Sequence, residues 1–169
     1  MLNRRQFGFS LCAGLAATAC TQASTDAQPA LKTEGDMATN IDWKNIKNSE
    51  WKTRLGPQEF AVMRKEATER PFSSPLNDEK RAGTFNCAAC GLPLFKASAK
   101  YKSGTGWPSF WEPIPGAIET KRDFKLVIPR TEYHCARCGA HQGHLFNDGP
   151  QPSGLRYCNN GIALNFVES

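Results

Sequence analysis

Seven cysteines are present in 169 residues, and five of them lie in the second half of the chain. Cys87-Ala88-Ala89-Cys90-Gly91 and Cys135-Ala136-Arg137-Cys138-Gly139 repeat one short pattern. A C-x2-C step lets two sulfurs converge on one tetrahedral ion, and a glycine directly after it permits the turn that carries the chain away. Two such steps supply four thiolates and close the coordination sphere. The expected metal is therefore one structural Zn2+ on Cys87, Cys90, Cys135 and Cys138, whose binding free energy becomes folding free energy. Two other chemistries fit the same spacing: a disulfide in each pair of an exported protein, or a redox-active C-x-x-C. The doubling of the knuckle and its two glycines favour zinc.

Cys158 is the remaining thiol once Cys12 and Cys20, near the N-terminus, are set aside. In Arg156-Tyr157-Cys158-Asn159-Asn160 a strand would place Arg156, Cys158 and Asn160 on one face, since side chains alternate. A cation two residues away favours thiolate over thiol, and Asn160 adds a polar group. The residues alone leave Cys158 open as a nucleophile or as an inert buried sulfur. His141 and His144 follow the second knuckle and could serve as acid–base groups, with Asp148 to orient one of them. A thiol, two imidazoles, an arginine and an asparagine suit nucleophilic cysteine chemistry. Trp107, between Gly106 and Pro108, is placed to wall a pocket.

These groups need a scaffold, and the patterning supplies one. Pro57 followed by QEFAVMRKE predicts a short helix, with proline in the first turn and a buried stripe of Phe60, Ala61 and Met63. Phe124, Leu126 and Ile128 alternate with Lys125 and Val127, and Ile162, Leu164 and Phe166 alternate with Ala163, Asn165 and Val167. Period two predicts half-buried strands there. Glycine and proline recur between such runs. The expected body is mainly β and antiparallel, with one or two short helices in front.

The N-terminus reads as an address. Arg4 and Arg5 precede an uncharged run from Phe7 to Ala19, as in a twin-arginine export signal, and Ala17-Thr18-Ala19 is a small-residue cleavage site. Cys20 follows it as the lipidated cysteine of a lipoprotein would, so export ends either in simple cleavage or in a lipid anchor at Cys20. The protein is then periplasmic or membrane-anchored. Residues 20–40 lack aromatics and read as a flexible tether, which leaves 41–169 as the folded domain. The formal net charge is +5, and Arg4 and Arg5 supply part of it, so no nucleic-acid partner is implied.

Several blocks together resemble the B-type peptide methionine sulfoxide reductases: Glu69-Arg70-Pro71-Phe72, both CxxCG knuckles, SGTGWPSFW at 103–111, HQGHLFNDGP at 141–150 and RYCNNGIALNF at 156–166. The resemblance runs from about Trp51 to Phe166. It implies two antiparallel sheets with short N-terminal helices and a structural four-cysteine zinc site away from the active site. It also implies reduction of the R epimer of methionine sulfoxide in proteins and peptides. Cys158 would be the nucleophile, passing through a sulfenic acid, with His141, His144, Arg156 and Asn160 around it. Trp107, Asp148 and Phe166 would contact substrate. The same resemblance exposes one departure. Many members carry a recycling cysteine where this chain has Thr105, so an external thiol such as a thioredoxin-like dithiol is the expected reductant, or else Cys20. The rival readings are a non-catalytic zinc-pinned β module and a disulfide oxidoreductase working through its CxxC pairs.

Overall fold

The computed structural model describes residues 41–124 and 129–169. The stretches expected to be an export signal and a tether, with Cys20, lie outside the described residues, as does the run 125–128.

Two helices lead, α1 (Asn48–Arg54) and α2 (Pro57–Lys65). Pro57 opens α2, where a missing N–H costs nothing. The Glu59 carboxylate accepts the Gly56 N–H at 2.8 Å, and Glu66 ends the helix in a left-handed turn with φ 56°. Phe60, Val62 and Met63 are buried, so Val62 takes the place expected of Ala61. The cause is that α2 packs on α1, on a strand of the large sheet and on the turn at 161–163, which covers more than one of its faces.

Nine strands follow among the described residues: β1 (Gly83–Cys87), β2 (Pro93–Lys96), β3 (Lys100–Tyr101), β4 (Ser109–Phe110), β5 (Ile118–Asp123), β6 (Arg130–Cys135), β7 (His141–Phe146), β8 (Arg156–Asn159) and β9 (Leu164–Glu168). They form a three-stranded sheet in the order β2-β1-β9 and a six-stranded sheet in the order β3-β4-β8-β7-β6-β5. Every pairing is antiparallel. The expected mainly β class, with two antiparallel sheets and short helices in front, is the architecture seen.

Two strand expectations need correction. β5 ends at Asp123, and Phe124 beyond it is 72% exposed, so the apolar alternation at 124 does not open a buried strand. The strand that forms, IETKRD, is an edge strand whose mostly solvent-facing residues are polar. β9 starts at Leu164 rather than Ile162, because Gly161–Ala163 is a 3-10 turn. The Glu69 carboxylate accepts the N–H groups of Gly161 (2.6 Å) and Ile162 (2.9 Å) and so fixes that turn.

Rings from both sheets fill the core. Phe85 and Phe95 come from the smaller sheet and Phe110, Tyr133 and Tyr157 from the larger, all buried. Phe95 stacks on Phe110 at 4.2 Å between centroids, and Tyr133 meets Tyr157 edge-on at 5.5 Å. Such pairs add about 0.5–1.5 kcal/mol each beyond burial. With Tyr133 and Tyr157 turned to the core, alternation turns Glu132, His144 and Cys158 to the opposite face of the six-stranded sheet. Register then lines them up: Glu132 opposes His144, His144 opposes Cys158 and Cys158 opposes Ser109. β7 and β8 approach closely here. A Cβ at Gly143 would lie 1.8 Å from the Cys158 carbonyl oxygen, so only glycine fits.

Candidate active site and metal centre

Each knuckle is the turn of a β-hairpin. Cys87 ends β1 and Cys135 ends β6, and Gly91 (φ 73°) and Gly139 (φ 68°) make the left-handed step that lets the strand return. The Gly91 N–H donates to the Cys87 carbonyl and the Gly139 N–H to the Cys135 carbonyl, each at 2.8 Å. The sulfurs of Cys87 and Cys138 lie 3.7 Å apart, those of Cys90 and Cys135 3.5 Å apart, and all four fall within 4.8 Å of one another. Sulfurs bound at about 2.3 Å around a tetrahedral zinc sit about 3.8 Å from one another. All four are free thiols. The donor set therefore fits Zn2+ in a closed structural site joining hairpin β1–β2 of one sheet to β6–β7 of the other, and the disulfide and redox readings of the knuckles lapse.

Gln142 reaches from the metal centre toward Cys158. Its Nε2–H donates to Cys87 Sγ at 3.5 Å, and its Oε1 accepts from Asn159 Nδ2 at 3.3 Å. Asn159 Oδ1 in turn accepts the Tyr133 hydroxyl at 2.8 Å. The residue next to the candidate nucleophile is thus fixed from both the metal site and the core.

A small cavity of about 100 Å³ opens at Cys158, lined also by Thr68, Trp107, Phe146, His144, Asn160 and Arg130. A water molecule occupies about 30 Å³ in the liquid, so a few heavy atoms fit. Trp107 is anchored by its Nε1–H, which donates to the Glu69 carbonyl at 3.2 Å. Phe146, opposite Arg156 in the ladder, carries that guanidinium over its ring at 4.2 Å. Arg156 is buried and forks onto Asp148, Nε to Oδ1 at 2.8 Å and Nη2 to Oδ2 at 2.9 Å. Asp148 itself is exposed, and the arginine holds its carboxyl below the usual range.

The imidazoles have separate carboxylates. His144 Nε2 lies 2.8 Å from Asp123 Oδ2, and His141 Nδ1 lies 2.6 Å from Glu132 Oε1. A carboxylate accepts, so each contacting nitrogen carries the proton, and a neutral His144 keeps a lone pair on Nδ1. Burial pushes the His144 pKa down against the pull of Asp123, so the ring is neutral near pH 7. Burial raises Glu132, yet the hydrogen bonds from His134 and His141 outweigh it and hold the carboxyl at about 2. His141 is buried behind His144, with ring centroids 5.4 Å apart, and does not line the cavity.

Cys158 departs from the electrostatic expectation. Burial raises its pKa above the ordinary 9, and the charge of Arg156 and hydrogen bonds from Thr105 and Arg156 offset only part of that. The resting sulfur is a thiol at neutral pH. Alkylation of the metal-loaded protein by iodoacetamide should accelerate about tenfold per pH unit from 7 to 9 with no plateau. A plateau near pH 7, read from mass spectra of Cys158, would contradict this.

Asn160 lies one residue beyond β8. Its amide donates to the Gln142 carbonyl and accepts from the Glu69 N–H, both at 3.0 Å, so it holds the 69 segment to β7 while lining the cavity. Phe166 is not brought there. It stands on β9 in the smaller sheet, 5.0 Å from Phe85, and lines a separate groove.

Sequence reasoning missed Phe146, Gln142, Glu69, Asp123, Glu132 and Arg130. Phe146 had a signal, since it shares a strand face with His144. Asp123 and Arg130 pair across the ladder at 2.8 Å, a partnership local sequence does not announce.

Residues 55–168 match the SelR domain family. The chain belongs to the SelR family, that of the B-type methionine sulfoxide reductases. A curated relative, "Peptide methionine sulfoxide reductase MsrB" of Pseudomonas putida (strain W619), is 52% identical over 119 residues, covering 69% of this chain and 89% of that protein. The protein of the same name from Teredinibacter turnerae is 47% identical over 126 residues, covering 73% and 93%. "Peptide methionine sulfoxide reductase B1, chloroplastic" of Arabidopsis thaliana is 44% identical over 128 residues, covering 75% and 63%. Among solved structures, the Mis18 "Yippee-like" domain aligns at TM-score 0.41 and 16% identity over 53% of this chain and 98% of that one, too slight a likeness to bear on fold or activity. The SelR match takes in both knuckles, the Trp107 loop and the Cys158 strand.

Proposed function

We propose that this SelR chain reduces the R epimer of methionine sulfoxide in proteins and peptides, with Cys158 as nucleophile. One observation carries the reading: Cys158 is the register partner of His144 and lines a cavity walled by Trp107 and Phe146. The aromatic wall suits the methyl group, and the polar side suits the sulfoxide oxygen. A fixed wall and fixed donors accept one chirality at sulfur.

Proton accounting follows from the raised thiol pKa. The Cys158 thiol gives up its proton as sulfur attacks sulfur, and His144, with its free Nδ1, is the group suited to receive it. The sulfoxide oxygen needs a proton to leave, and the same proton serves. Arg156 steadies the anion while it exists. In net terms the thiol and the sulfoxide become a sulfenic acid and a thioether, the substrate sulfur gaining the two electrons that Cys158 loses. Two external thiols then return Cys158 to a thiol, releasing a disulfide and water. Asn160 and Glu69 position the cavity's rim, and Asp148 positions Arg156. Zinc, bound by four sulfurs, supplies folding energy and takes no part in the reaction.

The Thr105 hydroxyl is near enough to the reacting sulfur to lower its pKa, and no second thiol outside the knuckles exists among the described residues. An external thiol, thioredoxin-like or other, fits this arrangement as reductant. Thr105→Cys should then convert the reaction: after one equivalent of substrate without reductant, the variant carries a disulfide between position 105 and Cys158, about 2 Da lighter than the reduced protein. Wild type should instead yield a dimedone adduct on Cys158. A dimedone adduct in both would deny that position 105 reaches the sulfur.

Export through the Arg4-Arg5 signal, with cleavage or lipidation at Cys20, completes the proposal and rests on the sequence pattern. Turnover of R- against S-methionine sulfoxide peptides with dithiothreitol tests the activity. R-selective turnover is expected; turnover of S alone or of neither overturns it.

A further inference from the structure

We propose that the open edge of β9 takes up the polypeptide on one side of the oxidised methionine as an added extended strand, which rests on the reductase reading above. β9 is the outer strand of its sheet. Its pairing with β1 fixes which backbone groups face out. Ala88 N–H donates to the Ala163 carbonyl and Ser169 N–H to the Ala82 carbonyl, so the pairs 88/163 and 82/169 are hydrogen-bonded positions of the ladder. By alternation 86/165 and 84/167 are too, and Leu164, Phe166 and Glu168 turn their backbone groups away from β1. The Leu164 N–H closes the preceding turn onto the Gly161 carbonyl. That leaves the Leu164 carbonyl, both groups of Phe166 and the Glu168 N–H without a ladder partner among the described residues.

That edge borders a groove of about 760 Å³, walled by Ala61 and Val62 of α2 and by Leu76, Ile162 and Phe166. The groove and the Cys158 cavity are separate spaces that meet at Thr68, which lines both. A cavity of about 100 Å³ takes the oxidised side chain and leaves the flanking chain outside; the large groove meets it at Thr68, and a smaller space of about 220 Å³ meets it at Trp107. Outward N–H and C=O groups beside an apolar trough match what an extended peptide offers: backbone bonds at every second residue and side chains for the trough between them. The chemistry also fits the task. Methionine occurs in every sequence context, and the backbone is what all those contexts share. The structure thus finds a place for Phe166 as part of the trough for flanking residues, away from the sulfoxide.

The test uses the full chain and three kinds of substrate. These are N-acetyl-methionine-R-sulfoxide N-methylamide, a ten-residue peptide with a central methionine-R-sulfoxide, and that peptide N-methylated at one flanking residue at a time. The peptide should exceed the small amide in kcat/KM by about tenfold or more, the worth of one to two backbone hydrogen bonds. N-methylation on one flank should lower it about three- to tenfold at alternate residues and leave the intervening ones unchanged. Ala61→Trp, which fills the trough, should remove the peptide's advantage and spare the amide. Equal kcat/KM for amide and peptide, or N-methylation without a period of two, overturns the proposal while amide turnover keeps the reductase reading intact. Loss of amide turnover in the wild type overturns that reading itself.

Discussion

Cys158→Ser lowers kcat/KM for methionine-R-sulfoxide peptides on the order of 10⁵-fold, the scale on which enzymes respond to loss of a nucleophile. Zinc content stays at one equivalent and the melting temperature moves by only a few degrees. A hydroxyl differs from a thiol in two ways that matter here. It is far less acidic, and its oxygen cannot take up the oxygen atom that sulfur leaves with. The structural cost is small because Cys158 is half-buried beside a cavity, on the sheet face opposite the packed Tyr133 and Tyr157. Steady-state assays beside a thermal melt read both quantities. Unchanged turnover would remove Cys158 from the chemistry and leave the zinc-pinned binding module as the better account.

Cys87→Ser acts on the fold. A closed tetrahedral site that loses one thiolate loses most of an affinity worth about 10–16 kcal/mol in small zinc domains, against a total stability of about 5–15 kcal/mol. The melting temperature should fall by at least about 15 °C, since each kcal/mol shifts it by about 2–8 °C in domains of this size range. Metal content by elemental analysis should drop well below one equivalent. Cys87 is buried, and its sulfur also accepts from Gln142, so the change disturbs the contact that links the metal centre to Asn159. Retained zinc with an unshifted melt would mean that three sulfurs suffice and that the hairpins are held by packing.

How much of this was legible beforehand depended on whether the information was local. The knuckles were, because the ion needs two sulfurs per turn and the glycine that follows; spacing alone carried both. The helix at Pro57 was legible from its proline and its stripe. The strand at 118–123 was not, since an edge strand with solvent on one side carries no apolar alternation. The start of β9 was misjudged because Glu69, ninety-odd residues away, supplies the acceptors that hold 161–163 as a turn. Glu132 and Asp123, the carboxylates behind the two histidines, were invisible for the same reason: ladder pairing brings them there. The charge state of Cys158 was misread because one visible arginine was weighed and the invisible burial was not.

The protonated state of that sulfur has a consequence for survival. Hydrogen peroxide attacks thiolates, and its reaction with a neutral thiol is slow. A reductase whose own sulfur stood permanently ionised would be open to that attack. Partial burial beside Trp107 and Phe146 raises the pKa of that sulfur and should slow its oxidation by peroxide while no substrate is bound.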